Sequence, residues 1–224
     1  MEYTPSKENK EIIAKRIAKF FKHGDVVNLG IGLPTLVGNY IPENVAVLLQ
    51  SENGMMGLGP APKPGEGKPG VMNAGGVPAT IVPGGCYFDS ATSFSIIRGG
   101  HVGYTVLGVL EVDQEGNLAN YKIPGKMVPG IGGAMDLTVG AHTVIAATLH
   151  FDPKGSSRLR KKCSLPLTAK GEVNYVVTDL GFFEVSGGAF VLKEAFAPYT
   201  PEWILEKTDA DVVIAGDCAI LEVL

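Results

Sequence analysis

The spacing of apolar residues divides the chain into alternating helical and extended segments. Apolar residues recur every three or four positions over 6–23, which predicts an amphipathic helix. These positions are Ile12, Ile13, Ile17, Phe20 and Phe21. Short apolar runs follow at 26–29 and 45–49, separated by a loop over 30–35 and a predicted short helix over 36–40. The second run is apolar at successive positions, so we expect a strand buried on both faces, as in a parallel sheet covered by helices.

The same alternation continues to the end of the chain. Helices are predicted over 89–98 and 201–207. Strands are predicted over 102–112, 143–150, 173–177, 182–185, 190–193 and 212–215. No repeat or linker-like segment divides the sequence, so residues 1–224 are predicted to form a single α/β domain whose strand order the pattern leaves open.

Two glycine-rich segments interrupt this pattern. Residues 51–76 contain eight Gly and four Pro, and residues 124–140 contain seven Gly or Pro. Long loops in compact domains are usually functional or disordered. Both segments therefore become candidates for a binding site.

Composition and charge exclude several classes of protein. The 224 residues carry 19 Lys and Arg against 23 Asp and Glu, a net charge of −4. With no basic excess to neutralise phosphates, a general nucleic-acid or membrane-surface binder is not expected. No apolar run approaches the roughly 20 residues of a membrane span. The three cysteines form no C-x-x-C pair, and the four histidines lack metal-site spacing, so we expect no metal. The N-terminus lacks the apolar core of a signal peptide, which predicts a cytoplasmic protein.

The strongest local signal for chemistry is the segment from Gln50 to Gly54, which directly follows a predicted buried strand. Ligands of α/β proteins bind beyond the carboxyl ends of strands, so Glu52 would project into a site. A solvated turn carboxylate that caps the next element is the alternative.

A second signal is the pair of glycines in the loop 30–32, whose bare backbone could approach a phosphate closely. A dinucleotide fingerprint would need a third glycine where Thr35 stands, but Glu52 lies about 20 residues on, where such enzymes place a ribose-binding acid. A nicotinamide-dependent oxidoreductase is therefore one alternative. Pro34 and Pro42 leave little room for the long helix that this fingerprint requires, and a simple strand–helix turn is equally compatible.

Two further segments have a functional and a structural interpretation. Gly132 and Gly133 precede a predicted helix start, where their amides could hold an oxyanion or merely pack against the sheet. A basic cluster could contact the phosphates of a bulky ligand or form a solvated strand face. Its members are Lys154, Arg158, Arg160, Lys161 and Lys162.

Taken together, these segments closely resemble the smaller, B-type subunit of the family I CoA-transferases. Several long motifs carry the resemblance in the right order over most of the chain. They are Val27-Asn28-Leu29-Gly30-Ile31-Gly32-Leu33-Pro34, Gln50-Ser51-Glu52-Asn53-Gly54, Gly57-Leu58-Gly59-Pro60, Asn73-Ala74-Gly75, Ile97-Arg98-Gly99-Gly100-His101, Leu118-Ala119-Asn120, Pro124-Gly125-Lys126 on to Asp136, Cys163, and Leu165-Pro166-Leu167-Thr168. The resemblance implies an open, mostly parallel sheet flanked by helices. It also implies an enzyme that moves CoA between an acyl-CoA and a short-chain carboxylate such as acetoacetate, acetate or butyrate.

The resemblance assigns roles to individual residues. Glu52 matches the catalytic glutamate, and Gly133 matches a glycine whose amide sits in the oxyanion hole. The positions implied to bind CoA or substrate are Asn28, Gly30, Gly32, Asn53 and Gly132. CoA would be a substrate, no cofactor is implied, and a related A subunit would complete the site. Leu149 departs from the acidic residue that relatives usually carry there. A non-catalytic ligand-binding protein on the same fold is the second alternative.

Overall fold

A computed structural model describes residue 3, residues 6–128 and residues 130–222 of the chain; Pro129, in the second glycine-rich segment, lies outside this part. The helices are α1 (Lys7–Ala18), α2 (Ser90–Arg98), α3 (Ala134–Gly140) and α4 (Pro201–Lys207), with a 3₁₀ helix over Leu33–Tyr40. The strands are β1 (Val26–Leu29), β2 (Leu48–Ser51), β3 (Met55–Leu58), β4 (Ile81–Tyr87), β5 (Val102–Gly108), β6 (Glu111–Asp113), β7 (Leu118–Ala119), β8 (Ala141–Ala147), β9 (Leu159–Arg160), β10 (Tyr175–Val177), β11 (Gly181–Ser186), β12 (Ala189–Phe196) and β13 (Val212–Leu221). Among the described helices, none combines the length and apolar character needed to cross a bilayer.

The strands form a large open sheet with the order β13-β12-β11-β10-β8-β5-β1-β2-β3-β4. The five central strands, from β10 to β2, are all parallel to one another. Beyond β2, strands β3 and β4 add to the sheet in antiparallel fashion, and beyond β10, strands β11 and β12 do the same. Strand β13 then pairs parallel with β12. A small second sheet has the order β7-β6-β9. The expected open, mostly parallel sheet is confirmed.

Both faces of this sheet are covered by helices. Successive residues of a strand point to opposite faces, and Val106 and Leu107 of β5 accordingly belong to two different apolar clusters. Helix α1 packs on the side of Val106, where Ile13 and Ile17 are fully buried. The opposite cluster receives large side chains from the other three described α-helices, among them Ile97, Leu137 and Ile204. The carboxyl ends of the central strands are therefore left as the open edge at which a site can form.

Several predicted strands differ from the observed ones in their bounds, and two of them differ in burial or in the sheet to which they belong. The predicted strand 45–49 is observed as β2, which begins only at Leu48, and Leu48 is 42% exposed. The expectation that both faces of this strand are buried is wrong. Strand β2 is the last of the parallel strands, and the antiparallel strands β3 and β4 follow it at this end of the sheet. The predicted strand 102–112 is divided at Val109 between β5 in the large sheet and β6 in the small one.

Candidate active site

The turn that carries Glu52 is fixed by a glycine. Glu52 directly follows β2, at the carboxyl edge of the parallel strands. The amide of Gly54 donates to Ser51 O at 3.0 Å, and Gly54 O accepts from the amide of Phe88 at 3.0 Å. Gly54 has φ +114°, and a Cβ on it would collide with Phe88 O. Only glycine fits this tight turn, which presents the Glu52 side chain at the sheet edge.

Glu52 faces the start of α3. The amide of Gly133 donates to Glu52 Oε1 at 3.3 Å, although the two residues are 81 positions apart. A Cβ on Gly133 would lie against the Glu52 carboxylate and 3.2 Å from Phe94 Cζ. A Cβ on Gly132 would lie 3.5 Å from Glu52 Oε1. Both glycines therefore allow the backbone to approach the carboxylate more closely than any side chain would.

Three effects set the protonation of Glu52. Partial burial raises its pKa, the hydrogen bond from the Gly133 amide lowers it, and the negative charge of Asp136 raises it again. The net result is a pKa above the usual value for a glutamate. A carboxylate that has lost part of its hydration is better prepared to attack an electrophile than one in bulk water.

Helix α2 supplies a pair of side chains to which the sequence motifs assign no role in the site. Arg98 Nε lies 2.7 Å from Asp136 Oδ1, and its guanidinium lies over the ring of Phe94, 5.6 Å from the ring centroid. Phe94 also borders Gly133. The family motifs contain Arg98 and Asp136, but sequence alone does not reveal that the two meet beside Glu52.

Asn28 lies on β1, next to the strand that carries Glu52. Asn28 is buried, and its Nδ2 donates to Gln50 Oε1 at 2.7 Å. Gln50 Nε2 donates in turn to Ser93 Oγ at 2.9 Å. This chain of side-chain hydrogen bonds joins β1, β2 and α2. Asn28 therefore supports the end of β2 that carries Glu52.

Gly30 and Gly32 differ in their surroundings. The amide of Gly30 donates to Val106 O at 2.9 Å, and a Cβ on Gly30 would lie 3.0 Å from the same oxygen. Gly30 thus allows the loop to cross the end of β5. Gly32 is exposed with φ +86°, and apart from its own chain neighbours no heavy atom of the described residues lies within 4 Å of its Cβ position. Of the two, Gly32 has the free space that a ligand needs.

Asn53 connects the Glu52 turn to the glycine-rich segment. Its Oδ1 accepts from Ser51 Oγ at 2.7 Å, and its Nδ2 donates to Met72 O at 2.8 Å. The position of a Gly75 Cβ is 3.3 Å from Ile31 Cγ1. The structure thus places the loops 30–32, 51–53 and 72–75 side by side. It brings Glu52, Gly132 and Gly133 together directly, whereas the Asn53 side chain contacts Ser51 and Met72.

The loop 30–32 lacks the setting of a dinucleotide fingerprint. The connection from β1 to β2 contains the 3₁₀ helix Leu33–Tyr40 and not a long α-helix. Glu52 faces Gly133 across the strand end. The alternative role of Glu52 as a ribose-binding acid therefore has no support in the geometry.

Two members of the basic cluster are engaged in ion pairs at the surface. Arg160 Nη1 lies 2.6 Å from Asp209 Oδ2, and Lys161 Nζ lies 2.8 Å from Asp211 Oδ1. These contacts favour the interpretation of a solvated, structural face for that part of the cluster.

Sequence and structure comparisons relate the chain to known proteins. The family model described as Coenzyme A transferase matches residues 10–200. The chain is 55% identical over 208 residues to the beta subunit of the acetate CoA-transferase of Haemophilus influenzae, covering 93% of each chain. It is 47% identical over 209 residues to the B subunit of a probable succinyl-CoA:3-ketoacid coenzyme A transferase of Bacillus subtilis, covering 93% of this chain and 97% of that protein. Glutaconate coenzyme A-transferase from Acidaminococcus fermentans has a similar fold, with a TM-score of 0.71 at 21% identity over 100% of this chain and 92% of that chain.

Proposed function

The chain belongs to the coenzyme A transferase family, and we propose that it moves CoA between an acyl-CoA and a short-chain carboxylate through a thioester formed on Glu52. The single observation that carries this proposal is the half-buried Glu52 carboxylate held against the Gly133 amide at the carboxyl edge of the sheet. Acetate and 3-oxoacids are the leading substrates, since two similar proteins are named for acetate and for 3-ketoacids.

A glutamate suits this reaction because the free energy of the thioester has to be kept. The Glu52 carboxylate attacks the thioester carbonyl, and the CoA thiolate leaves, so a mixed anhydride forms. The thiolate then attacks the glutamyl carbonyl and expels the carboxylate of the donor, which leaves Glu52 as a glutamyl–CoA thioester. An incoming carboxylate reverses these steps. A serine nucleophile would instead give an ordinary ester, from which return to a thioester is uphill. The scheme is covalent catalysis with ping-pong kinetics.

The neighbours of Glu52 fit this role. Each attack creates a tetrahedral oxyanion, and the Gly133 amide is placed to stabilise such a charge beside the carboxylate. The desolvation that raises the Glu52 pKa also raises its reactivity. Binding energy from the CoA tail would position the thioester for attack.

We propose that the site is completed by a related A subunit. The similar bacterial proteins are named as beta or B subunits. Several large apolar side chains near the site are exposed in this chain, among them Ile31 at 71%, Met135 at 52% and Val139 at 70%. A second polypeptide lying over them would exclude water, which could otherwise hydrolyse the activated glutamyl group.

Mass analysis of the adduct tests the proposed function. Incubation of the enzyme assembled from both subunits with acetoacetyl-CoA, without an acceptor acid, is expected to leave CoA attached to this chain. Borohydride reduces the glutamyl thioester to an alcohol, and peptide mass analysis is expected to locate that change at Glu52. The chain without its A subunit should give little adduct.

Each possible failure of this experiment has a separate meaning. An adduct on another residue would disprove the assignment of Glu52. Full activity of the purified chain with no second polypeptide would disprove the partner proposal but leave the nucleophile intact. The variant Glu66→Gln serves as the control, since Glu66 is an exposed carboxylate of the same glycine-rich segment.

Arg98 is expected to affect the pH dependence of the reaction. Asp136 raises the Glu52 pKa, and the guanidinium of Arg98 offsets the charge of Asp136. Without Arg98 the Glu52 pKa rises further, so a higher pH is needed to ionise the nucleophile. Arg98→Gln should therefore move the acid limb of kcat/KM to higher pH, by about half a pH unit because Arg98 is well exposed and screened.

The charge-conserving variant separates this effect from a loss of packing. Arg98→Lys is expected to leave the acid limb nearly unchanged, and high salt should reduce the shift caused by Arg98→Gln. An acid limb that stays in place in Arg98→Gln would show that the pair does not influence Glu52.

A further inference from the structure

We infer that a cleft between the ends of β1, β5 and β8 binds a small oxyanion, a carboxylate or a phosphate, through Arg158 and Lys10. The cleft has a volume of about 280 Å³. Its walls include Leu33, which follows β1, Gly108 at the end of β5, and Leu149, which follows β8.

The position of the cleft in the topology is one that favours ligands. Strand β2, the next strand along the chain after β1, lies on one side of β1 in the sheet. Strands β5 and β8 lie on its other side, with β5 next to β1. The order of the sheet therefore reverses between β1 and β5. In open α/β sheets, ligands bind outside the carboxyl ends of the strands at this point of reversal.

The cleft is separate from the Glu52 site. The loop that follows β1 lies between the two. On one side this loop contacts the glycine-rich segment, where the Gly75 Cβ position is 3.3 Å from Ile31 Cγ1. The Gly108 Cβ position is 3.7 Å from Pro34 Cδ on the other side. Neither Glu52 nor Gly133 lines the cleft.

Arg158 has hydrogen-bonding capacity that the protein does not use. Its Nη1 donates to Val109 O at 3.0 Å, which fixes the guanidinium at the end of β5. Its Nε is buried and has no hydrogen-bond partner among the described residues. The guanidinium is also partly desolvated by burial, and an oxyanion in the cleft would compensate its charge through the guanidinium donors that face the cleft.

The remaining lining favours an anion over a cation. Lys10 adds a second positive charge, and no carboxylate of residues 6–128 or 130–222 belongs to the lining. Asp152 and Asp179 act on Arg158 from a distance, but no ion pair joins either of them to Arg158 in the described part of the chain. Both accept backbone hydrogen bonds, Asp152 from the amide of Ser156 and Asp179 from that of His150.

The polar uncharged groups of the cleft are already occupied. Thr148 Oγ1 donates to Val109 O at 3.1 Å, and Asn120 Nδ2 donates to Gly108 O at 3.2 Å. These bonds hold the strand ends in place around the two cations. The specificity of the cleft therefore lies in charge and in size, which suits a small anion.

Equilibrium dialysis of the full chain with labelled inorganic phosphate at low ionic strength tests the inference. We expect saturable binding that Arg158→Gln weakens at least about 10-fold, because a charge-assisted hydrogen bond is lost. Leu149→Glu, which places a carboxylate in the lining, should weaken binding by about the same factor, whereas the neutral variant Leu149→Gln should change it less than about 2-fold. Displacement by acetate would identify a carboxylate site, and displacement by sulfate alone would identify a site for tetrahedral oxyanions.

Two controls make the result specific. Lys161→Gln removes a surface cation of the same basic cluster and should leave phosphate binding unchanged. Glu52→Gln should also bind normally, so that loss of the transferase activity and loss of this site can be told apart. Absence of saturable binding by the unmodified chain, or equal binding by Arg158→Gln with native circular dichroism, would overturn the inference.

Discussion

Glu52→Gln is expected to abolish turnover without unfolding the protein. The amide has almost the same shape as the carboxylate, and its oxygen can still accept the hydrogen bond that the Gly133 amide donates to Oε1. It carries no negative charge with which to attack a thioester. We expect a loss in kcat of at least about 1,000-fold, in line with the removal of a covalent nucleophile, and no CoA adduct on the chain.

Glu52→Asp gives a second, independent measure of the same role. Aspartate keeps the charge but withdraws the carboxylate by one methylene, roughly 1.5 Å, and a misplacement of about 1 Å can cost 100-fold in rate. The variant should therefore be severely impaired although it remains anionic. If Glu52 only bound a ligand, its variants would instead raise KM with little change in kcat. Steady-state kinetics of the two variants beside Glu66→Gln separates these cases, and normal kcat in Glu52→Gln would contradict the proposed mechanism.

The sequence predicts Glu52 and the glycines before α3 as separate candidates, but it does not predict that they contact each other. A carboxylate after an apolar run and a pair of glycines before a helix start are local signals, and the family resemblance gives both of them roles. Their contact depends on β2 and α3 reaching the same edge of the sheet, and no local pattern encodes that strand order. The sequence does not predict the places of Arg98 and Phe94 beside Glu52 for the same reason, since α2 meets α3 only in the folded chain.

The strand errors also have physical causes. The apolar run 102–112 continues past Gly108, so its pattern cannot reveal that the chain leaves the large sheet there and enters the small one. The sequence pattern does not predict strand β4, because this strand contains Pro83, Gly84 and Gly85, which are poor strand formers. These residues are tolerated because β4 lies at the edge of the sheet, where a missing donor leaves no neighbouring strand unpaired.

Asn28 has a structural role that the motif alone does not reveal. The resemblance implies a position near the bound CoA, and Asn28 does lie on the strand next to β2. Its side chain, however, is buried against Gln50 and uses its amide for that contact. Asn28 therefore has a structural role at the end of β2, and its contact with CoA stays a prediction.

Gly133→Val tests whether the backbone amide beside Glu52 stabilises the reaction's oxyanions. Gly133 is buried, and a side chain there would press on the Glu52 carboxylate and on Phe94. Either Glu52 or the start of α3 must then move, and the amide loses its alignment. Loss of one oxyanion-hole donor costs about 100- to 1,000-fold in kcat, and we expect a decrease of at least about 100-fold with a smaller change in KM.

Gly67→Val is the matched control for this substitution. Gly67 is an exposed glycine of the other glycine-rich segment, and a Cβ on it would be 3.5 Å from Pro62 Cγ, an ordinary contact. We expect that variant to turn over normally. Circular dichroism has to show that Gly133→Val keeps a native fold. The amount of Glu52–CoA adduct that this variant forms at long times then shows whether Glu52 still reacts. A folded Gly133→Val enzyme with unchanged kcat would mean that Gly133 only provides space for packing, because the oxyanion would then be stabilised elsewhere.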